Sequence, residues 1–407
     1  MIVLHTADLH FDIKDFVTVQ KSFEQIIDYV EFNTVDLVVI AGDIFDKAVV
    51  LEEASNSPVN PTLDSFIRLA DLVPIYIVEG NPPHDKFGSL EILTKLKTTH
   101  PIKVVDHCDD TFTVFEAGEF KDYDTSVSLK VIINNHKESD SLLLFGLPWP
   151  IKLRFLSNKE LQQPLREVNN LYNERVASWI EKRKKLFKSL GNRYGCMLVA
   201  HLQLQGAIAS TGQELTSIYH TPAMYKGMSH YGALGHIHLA QRDKELYYSG
   251  SIRNNNWGEL ESKQFNVVVY RATPSGVTTA IKHKLIQTPL LLKIVISGEE
   301  ELKSIYKIIK SKITKKDNYK VWVSINGIKN KDSVDQNKIS RFLENLGGEL
   351  AKIDVTETIM ISQLSRDIRS SVEKTLRDKY MDWCAVNNFT YTKFQIQKLE
   401  EAELLIT

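Results

Sequence analysis

The chain opens with Met1-Ile2-Val3-Leu4-His5-Thr6-Ala7-Asp8-Leu9-His10, a short apolar strand that runs straight into an aspartate and a histidine. The same arrangement returns at Leu37-Val38-Val39-Ile40-Ala41-Gly42-Asp43. The second run carries no polar alternation, which is typical of a strand covered on both faces. Between the two, Phe16, Val19, Phe23, Ile26, Ile27 and Val30 recur at helical spacing. Leu63, Phe66, Ile67 and Ala70 predict a second helix, and Ile75 to Val78 a third strand. This βαβαβ rhythm implies a layered α/β fold.

Outward from there, residues 110 to 150 turn more β-like and end at Leu142 to Leu147, before the loop Pro148-Trp149-Pro150. Residues 162 to 190 predict a long polar helix that includes the basic stretch Lys182, Arg183, Lys184, Lys185 and Lys188. Strands follow at Cys196 to Ala200, Glu245 to Tyr248 and Phe265 to Tyr270. The pattern changes near Thr288-Pro289. Strand 291–296, helix 299–313, strand 319–325, helix 335–346 and strand 351–356 make a compact β-α-β-α-β unit. Leu364, Ile368, Val372, Leu376 and Tyr380 then recur every four residues, as in an amphipathic helix. Three segments are therefore expected: 1–287, 288–360 and 361–407.

Composition narrows the class. At 407 residues and 43% hydrophobic content there is ample material for two or three structural units. The 50 basic and 51 acidic residues nearly balance, so bulk charge does not predict a nucleic-acid partner. Cys108, Cys196 and Cys384 lack zinc-type spacing and are too few for a disulfide framework. The N-terminus lacks the regions of a signal peptide. No apolar run approaches the ~20 residues of a membrane span. The expectation is a soluble, cytoplasmic protein with no membrane partner.

Five clusters carry chemistry: Asp8-Leu9-His10, Gly42-Asp43, Gly80-Asn81-Pro82-Pro83-His84-Asp85, Ala200-His201 and Gly235-His236-Ile237-His238. Each follows a strand-like run or lies in a glycine-containing turn. Strand ends of open α/β sheets converge on one crevice, so five such ends can surround one point. Carboxylates, an amide oxygen and neutral imidazoles suit Mn, Fe or Zn better than Ca or Mg, which prefer oxygen alone. Two ions about 3.5–4 Å apart need a bridging carboxylate, and Asp43, alone on its turn, is the natural candidate. Singly, each cluster has a plainer reading: a structural histidine beside a strand, or an aspartate in a turn or helix cap. Five in this order favour metal. The remaining histidines (His5, His100, His107, His136, His220, His230 and His283) take the structural or solvent reading.

These motifs resemble the calcineurin-type metallophosphoesterase superfamily. More closely they are similar to the SbcD nuclease subunits and their double-strand-break counterparts, through residues 5–10, Ala41-Gly42-Asp43-Ile44-Phe45-Asp46, Val199-Ala200-His201, and Tyr248-Ser249-Gly250-Ser251-Ile252 followed by Gly258-Glu259. The resemblance implies a layered β-sandwich flanked by helices, with a small α+β capping domain that contacts DNA and C-terminal helices. It also implies two divalent metal ions, manganese by family habit. Asp8, His10, Asp43 and His238 would hold one ion, and Asp43, Asn81, His201 and His236 the other. His84 would stand beside the scissile phosphate as the catalytic group that stabilises or protonates the leaving oxygen. Asp46 and Asp85 would orient ligands. One departure stands out: the usual Gly-Asn-His-Asp is here interrupted by Pro82 and Pro83, which lengthen and stiffen the loop.

The implied activity is a two-metal DNA nuclease, a 3′→5′ exonuclease and single-strand endonuclease. Its implied partners are DNA, an SbcC-like ABC-type ATPase with a coiled coil that docks the C-terminal helices, and a second copy in a homodimer. Residues 182–188 and a second stretch, Lys310, Lys312, Lys315 and Lys316, are candidate phosphate contacts. A solvated helix face is the equal alternative for each. Two other functions stand beside the nuclease: a small-substrate phosphodiesterase or phosphatase on the same metal core, and a non-catalytic scaffold.

Overall fold

The computed structural model describes residues 1–48, 58–138, 140–210, 212–215, 220–257, 259–313, 319–357 and residue 381. The first part runs β1 (Ile2–Thr6), α1 (Phe16–Phe32), β2 (Leu37–Ala41), α2 (Val59–Leu72), β3 (Ile75–Val78) and β4 (Ile102–Val105). Next come β5 (Thr111–Glu116), β6 (Glu119–Asp124), α3 (Leu129–Asn135), β7 (Ser141–Leu147), α4 (Lys152–Phe155), α5 (Asn158–Leu161) and α6 (Leu165–Leu190). Then follow β8 (Gly195–His201), α7 (Pro222–Tyr225), β9 (Tyr231–Gly235), β10 (Gln241–Asp243), β11 (Leu246–Tyr248), β12 (Lys263–Thr273) and β13 (Gly276–Ile286).

Two sheets result, in the orders β13-β12-β1-β2-β3-β4 and β10-β11-β9-β8-β7-β5-β6. In the first, β1, β2, β3 and β4 are parallel. In the second, β7, β8, β9 and β11 are parallel. Their faces pack on each other through Val3, Val39, Tyr76, Leu144, Val199 and Ala233. Alternate residues of the same strands, among them Leu4, Val38 and Ile40, pack outward on α1 and α2. The outer face of the second sheet is covered by Val176, Trp179, Ile180 and Leu186 of α6. The central strands thus lie between two apolar layers, which is why β2, β3, β8 and β9 read as unbroken hydrophobic runs and are buried throughout.

The remainder forms a third sheet of β14 (Leu290–Ser297), β15 (Tyr319–Ile328) and β16 (Gly348–Glu357), all parallel. The crossovers are α8 (Gly298–Lys303) with α9 (Ile305–Lys312), and α10 (Gln336–Asn345). One sheet face packs on the helices through Ile294, Val323, Ile305, Ile309 and Leu343. The single helix expected over 299–313 is two. α8 buries no side chain, whereas α9 buries Ile305 and Ile309. The break at Ser304 lets the second helix turn its apolar side onto the sheet. The predicted amphipathic helix at 364–380, Lys315, Lys316 and Gly258 lie outside the described residues. Among the described residues, no helix is long and apolar enough to cross a membrane.

The basic stretch on α6 is not a uniform charged face. Arg183 is 1% exposed. Its guanidinium lies 4.0 Å from the Trp179 ring centroid and donates to the carbonyls of Asp109 (2.9 Å) and Thr111 (2.5 Å). Lys182 pairs with Asp110 at 2.5 Å. Arg183 therefore tethers α6 to β5 and is withdrawn from any phosphate. Arg183→Ala leaves two carbonyls without their donor and a gap beside Trp179. It is expected to lower unfolding free energy by about 2–4 kcal/mol in urea titration, whereas Lys185→Ala stays within about 0.5 kcal/mol.

Candidate metal centre

Both sheets end their parallel strands at the same rim. β1 delivers Asp8 and His10, β2 delivers Asp43, β3 delivers Asn81 and His84, β8 delivers His201, and β9 delivers His236 and His238. The two rims touch directly, since His201 Nδ1 lies 2.7 Å from the carbonyl oxygen of Ala41. Gly235 makes the approach possible, because a Cβ there would overlap that same oxygen. Gly80 does likewise beside Asp43.

Three side-chain groups bring ligand-type atoms within 4.8 Å of one another: Asp8, His10 and His238; Asp43, His201 and His236; and His10, Asp46 and His84. Asp43 connects them. Its Oδ1 lies 3.2 Å from His201 Nε2, and its Oδ2 is 3.9 Å from both His10 Nε2 and His84 Nε2. His10 Nε2 and His238 Nε2 approach to 3.0 Å. The six other expected ligands and His84 are thus gathered around the Asp43 carboxylate.

The proline-spaced loop keeps its place. His84 N–H and Asp85 N–H both donate to the Asn81 carbonyl, at 3.0 and 2.9 Å, which closes a tight turn over Pro82-Pro83. The prolines have no N–H to satisfy, so the turn needs no acceptors for them. The buried Asp85 carboxylate accepts from Gly80 N–H (2.9 Å) and Ile44 N–H (3.0 Å), locking this loop to the one after β2. Asn81 N–H donates to Asp43 Oδ1 at 3.0 Å, while its own side-chain oxygen is buried without a partner. His84 Nδ1 is held by the carbonyl of Asp46, leaving Nε2 facing Asp43.

Asp8, His10, Asp43 and His236 adopt left-handed backbone with φ of 52°, 51°, 54° and 92°. Such residues cost ~1–3 kcal/mol each and persist only where the surroundings over-determine them. Here they turn side chains off the strand ends and into the crevice. Asp8 is held in turn by His236 N–H, which donates to its Oδ1 at 2.8 Å.

The electrostatics are those of a cation site. Burial pushes Asp8 up to about 6, although His201 and His238 pull against it. Burial likewise takes His236 down to about 3, and lowers His10, which His238 depresses further. Burial would raise Asp43, but His201, His10 and His84 prevail and hold it well below the usual range. Burial would lower His201, yet Asp43 and Asp8 raise it to about 9. Buried, partnerless atoms include Asn81 Oδ1, His10 Nδ1 and His201 Nε2, the last close to Asp43 but poorly aligned with it. Buried polar atoms are rarely left unmatched. An amide oxygen and imidazole nitrogens left in this way, beside the carboxylates of Asp8 and Asp43, fit divalent transition-metal ions.

The calcineurin-like phosphoesterase family pattern matches residues 1–238, more than half of the sequence. The chain belongs to the calcineurin-like phosphoesterases. Membership implies phosphoester hydrolysis with divalent metals, and these clusters are able to hold them. The protein 078R of Invertebrate iridescent virus 3, described as a phosphoesterase, is 29% identical over 92 residues. That match takes in 23% of this chain, which spans about a quarter (25%) of the viral protein's length. A flavodiiron core, Flv1 from Synechocystis, overlays 84% of this chain and 79% of its own at 10% identity, but with a TM-score of 0.14 it carries no argument.

The phosphoesterase site also uses residues that no ligand pattern predicts. The Trp149 ring lies 4.6 Å from the ring of His236. Its backbone N–H donates to Glu79, whose side chain pairs with Arg154 at 2.6 Å, both fully buried. That pair props the loop carrying Asn81 and His84. Arg253 donates to the His10 carbonyl at 3.2 Å. Glu259 lies behind His238; burial would raise it, but His238 and Lys263 hold it well below the carboxylate range. Only the Pro-Trp-Pro loop and the Gly258-Glu259 pair left any trace in the sequence. The other histidines lie elsewhere: His5 on Tyr231 OH (2.9 Å), His136 on Glu116 (2.8 Å), His220 on Tyr225 OH (2.7 Å) and His283 on Asn266 (2.7 Å). A cleft of about 1070 Å³ between α1, β13 and the third sheet is lined by none of the metal-site residues.

An ion must displace the proton from His201, raised to about 9, and requires Asp8 ionised. Calorimetry at pH 7 in buffers of differing ionisation enthalpy should therefore report release of about one proton on metal binding. Affinity should fall as pH drops below about 9, where His201 takes up a proton, and more steeply below about 6, where Asp8 does so too.

Proposed function

We propose that this chain is the two-metal DNA nuclease subunit of an SbcCD-like complex, with 3′→5′ exonuclease and single-strand endonuclease activity and manganese as its metal. The observation that carries this reading beyond phosphoester hydrolysis is the third sheet, set against the metal centre. Trp322 on β15 meets Trp257 with ring centroids 5.8 Å apart. Trp257 stands two residues beyond Asn255, whose amide lies 3.3 Å from His238 Nδ1. Lys320 on β15 pairs with Asp15 at 2.5 Å. A small phosphomonoester needs no such appended surface, whereas a polymer does. In this reading residues 1–287 are the nuclease domain, 288–360 cap the DNA, and 361–407 dock the coiled coil of the SbcC-like ATPase. The working form is a homodimer in the cytoplasm.

Bound divalent ions supply Lewis acidity toward the phosphoryl oxygens and lower the pKa of water. Asp8, His10, Asp43 and His238 would hold one, and Asp43, Asn81, His201 and His236 the other. Asp43 presents one carboxylate oxygen to each half, as its contacts with His201 and His10 require. His84 is held through Nδ1 by the Asp46 carbonyl, and its Nε2 faces the same crevice from a partly exposed position. That nitrogen carries a proton to the leaving oxygen.

Purified protein with manganese should degrade linear duplex and cleave single-stranded DNA. Asp43→Ala should lower the rate by about 10³-fold or more. His84→Ala should lower kcat by about 10²–10⁴-fold while metal binding by calorimetry is retained. DNA left intact with manganese, alone and with the ATPase, would sink the nuclease reading. Hydrolysis of a small phosphodiester under those conditions would turn it to the small-substrate alternative.

A further inference from the structure

Behind the His10–His238 half of the centre lies an acid that belongs to none of the ligand clusters. Glu259, just ahead of β12, is 2% exposed. Its carboxylate accepts from Asn255 N–H (3.0 Å), the Asn256 side-chain amide (2.7 Å) and Lys263 Nζ (3.1 Å). Its Oε1 lies 3.7 Å from His238 Nδ1. The opposite nitrogen of that ring, Nε2, points to His10 Nε2 at 3.0 Å. The ring is therefore set between a carboxylate and the metal side of the crevice.

Lys263, 1% exposed, completes the arrangement. It pairs with Glu259 and Glu261, and its Nζ donates to the His238 carbonyl at 3.3 Å. A buried carboxylate without a cation is costly, so Lys263 allows Glu259 to stay charged behind the histidine. Asn255 adds a second contact. Its Oδ1 is buried without a partner, and its amide nitrogen sits 3.3 Å from His238 Nδ1. Half a turn of that amide presents Oδ1 to an Nδ1–H and satisfies both.

We propose that Glu259, held by Lys263, is the positioning residue of the His10–His238 half: it fixes His238 as the Nδ1–H tautomer and keeps the Nε2 lone pair for an ion. The inference rests on the metal reading of the site. A carboxylate behind a ligating histidine fixes its orientation and raises its basicity. The other half is built differently. His201 Nδ1 is backed by the peptide carbonyl of Ala41, a neutral acceptor. The two halves are therefore unequal, and loss of Glu259 weakens one of them selectively.

The test uses the full chain, manganese as probe, and two variants. Glu259→Gln keeps the shape and an acceptor for Asn255 N–H. Glu259→Gln with Lys263→Met also removes the buried ammonium, which would otherwise keep only Glu261 as its carboxylate partner. Calorimetric titration of wild type should show two binding events. Both variants should lose about 10–100-fold in one event and keep the other, and the double variant should melt near wild type. Histidine ¹⁵N spectra of metal-free protein should show His238 as Nδ1–H in wild type and a mixture of tautomers in both variants. Wild-type affinity for both ions in the variants, or retention of the Nδ1–H tautomer, overturns the proposal. A double variant that fails to fold assigns the pair to stability alone and overturns it too. Wild type that binds no divalent ion sinks the metal reading instead, while the tautomer spectra still judge Glu259.

Discussion

Asp43 is 1% exposed, and a carboxylate buried to that degree costs several kcal/mol unless charge or hydrogen bonds offset it. The organisation of the metal centre follows from meeting that cost. His201 lies 3.2 Å from one oxygen, His10 and His84 lie 3.9 Å from the other, and Asn81 N–H donates at 3.0 Å. These groups come from three strand ends, those of β1, β3 and β8. The two sheets must therefore close until Gly235 meets Ala41, where a side chain would keep them apart, while within the first sheet Gly80 lets the β3 loop approach Asp43. Burial raises Asp8 and favours the neutral form of His10 and His236. A divalent cation would pull Asp8 back down and would take the neutral imidazoles as donors.

Packing provides the rigidity for this. Four site residues carry left-handed backbone, a conformation that relaxes unless its neighbours forbid it. The strands that hold them lie between apolar layers on both faces, so the strand ends cannot shift to release the strain. Asp85 and the Glu79–Arg154 pair do for the β3 loop what the sheets do for the strands. They hold a turn with two prolines firmly enough that Asn81 and His84 both reach Asp43.

Much of this was legible beforehand. The unbroken apolar run at 37–40 read as a doubly covered strand and 196–200 as a strand, and a ligand-type residue at the end of each pointed to a shared rim. The third sheet was readable from its strand–helix alternation, apart from the break at Ser304. The basic stretch on α6 was not. Lysines and Arg183 look alike as charges, and only packing shows that Arg183 lies against Trp179 beneath β5. The supporting groups were equally silent. Glu79, Arg154 and Lys263 stand in no sequence motif, because their partners are brought close only by folding.

The sequence by itself determined which residue types could bind metal and that strand ends would present them, because hydrophobic periodicity and ligand chemistry are local properties. Tertiary structure decided which carboxylate links the two halves, whether the Pro82-Pro83 turn keeps Asn81 and His84 in reach, and which buried charges stand behind the ligands. Those outcomes depend on distances between segments far apart in the chain, such as His10 and His238, 228 residues apart. Such distances are set when two sheets pack, and no window of sequence contains them.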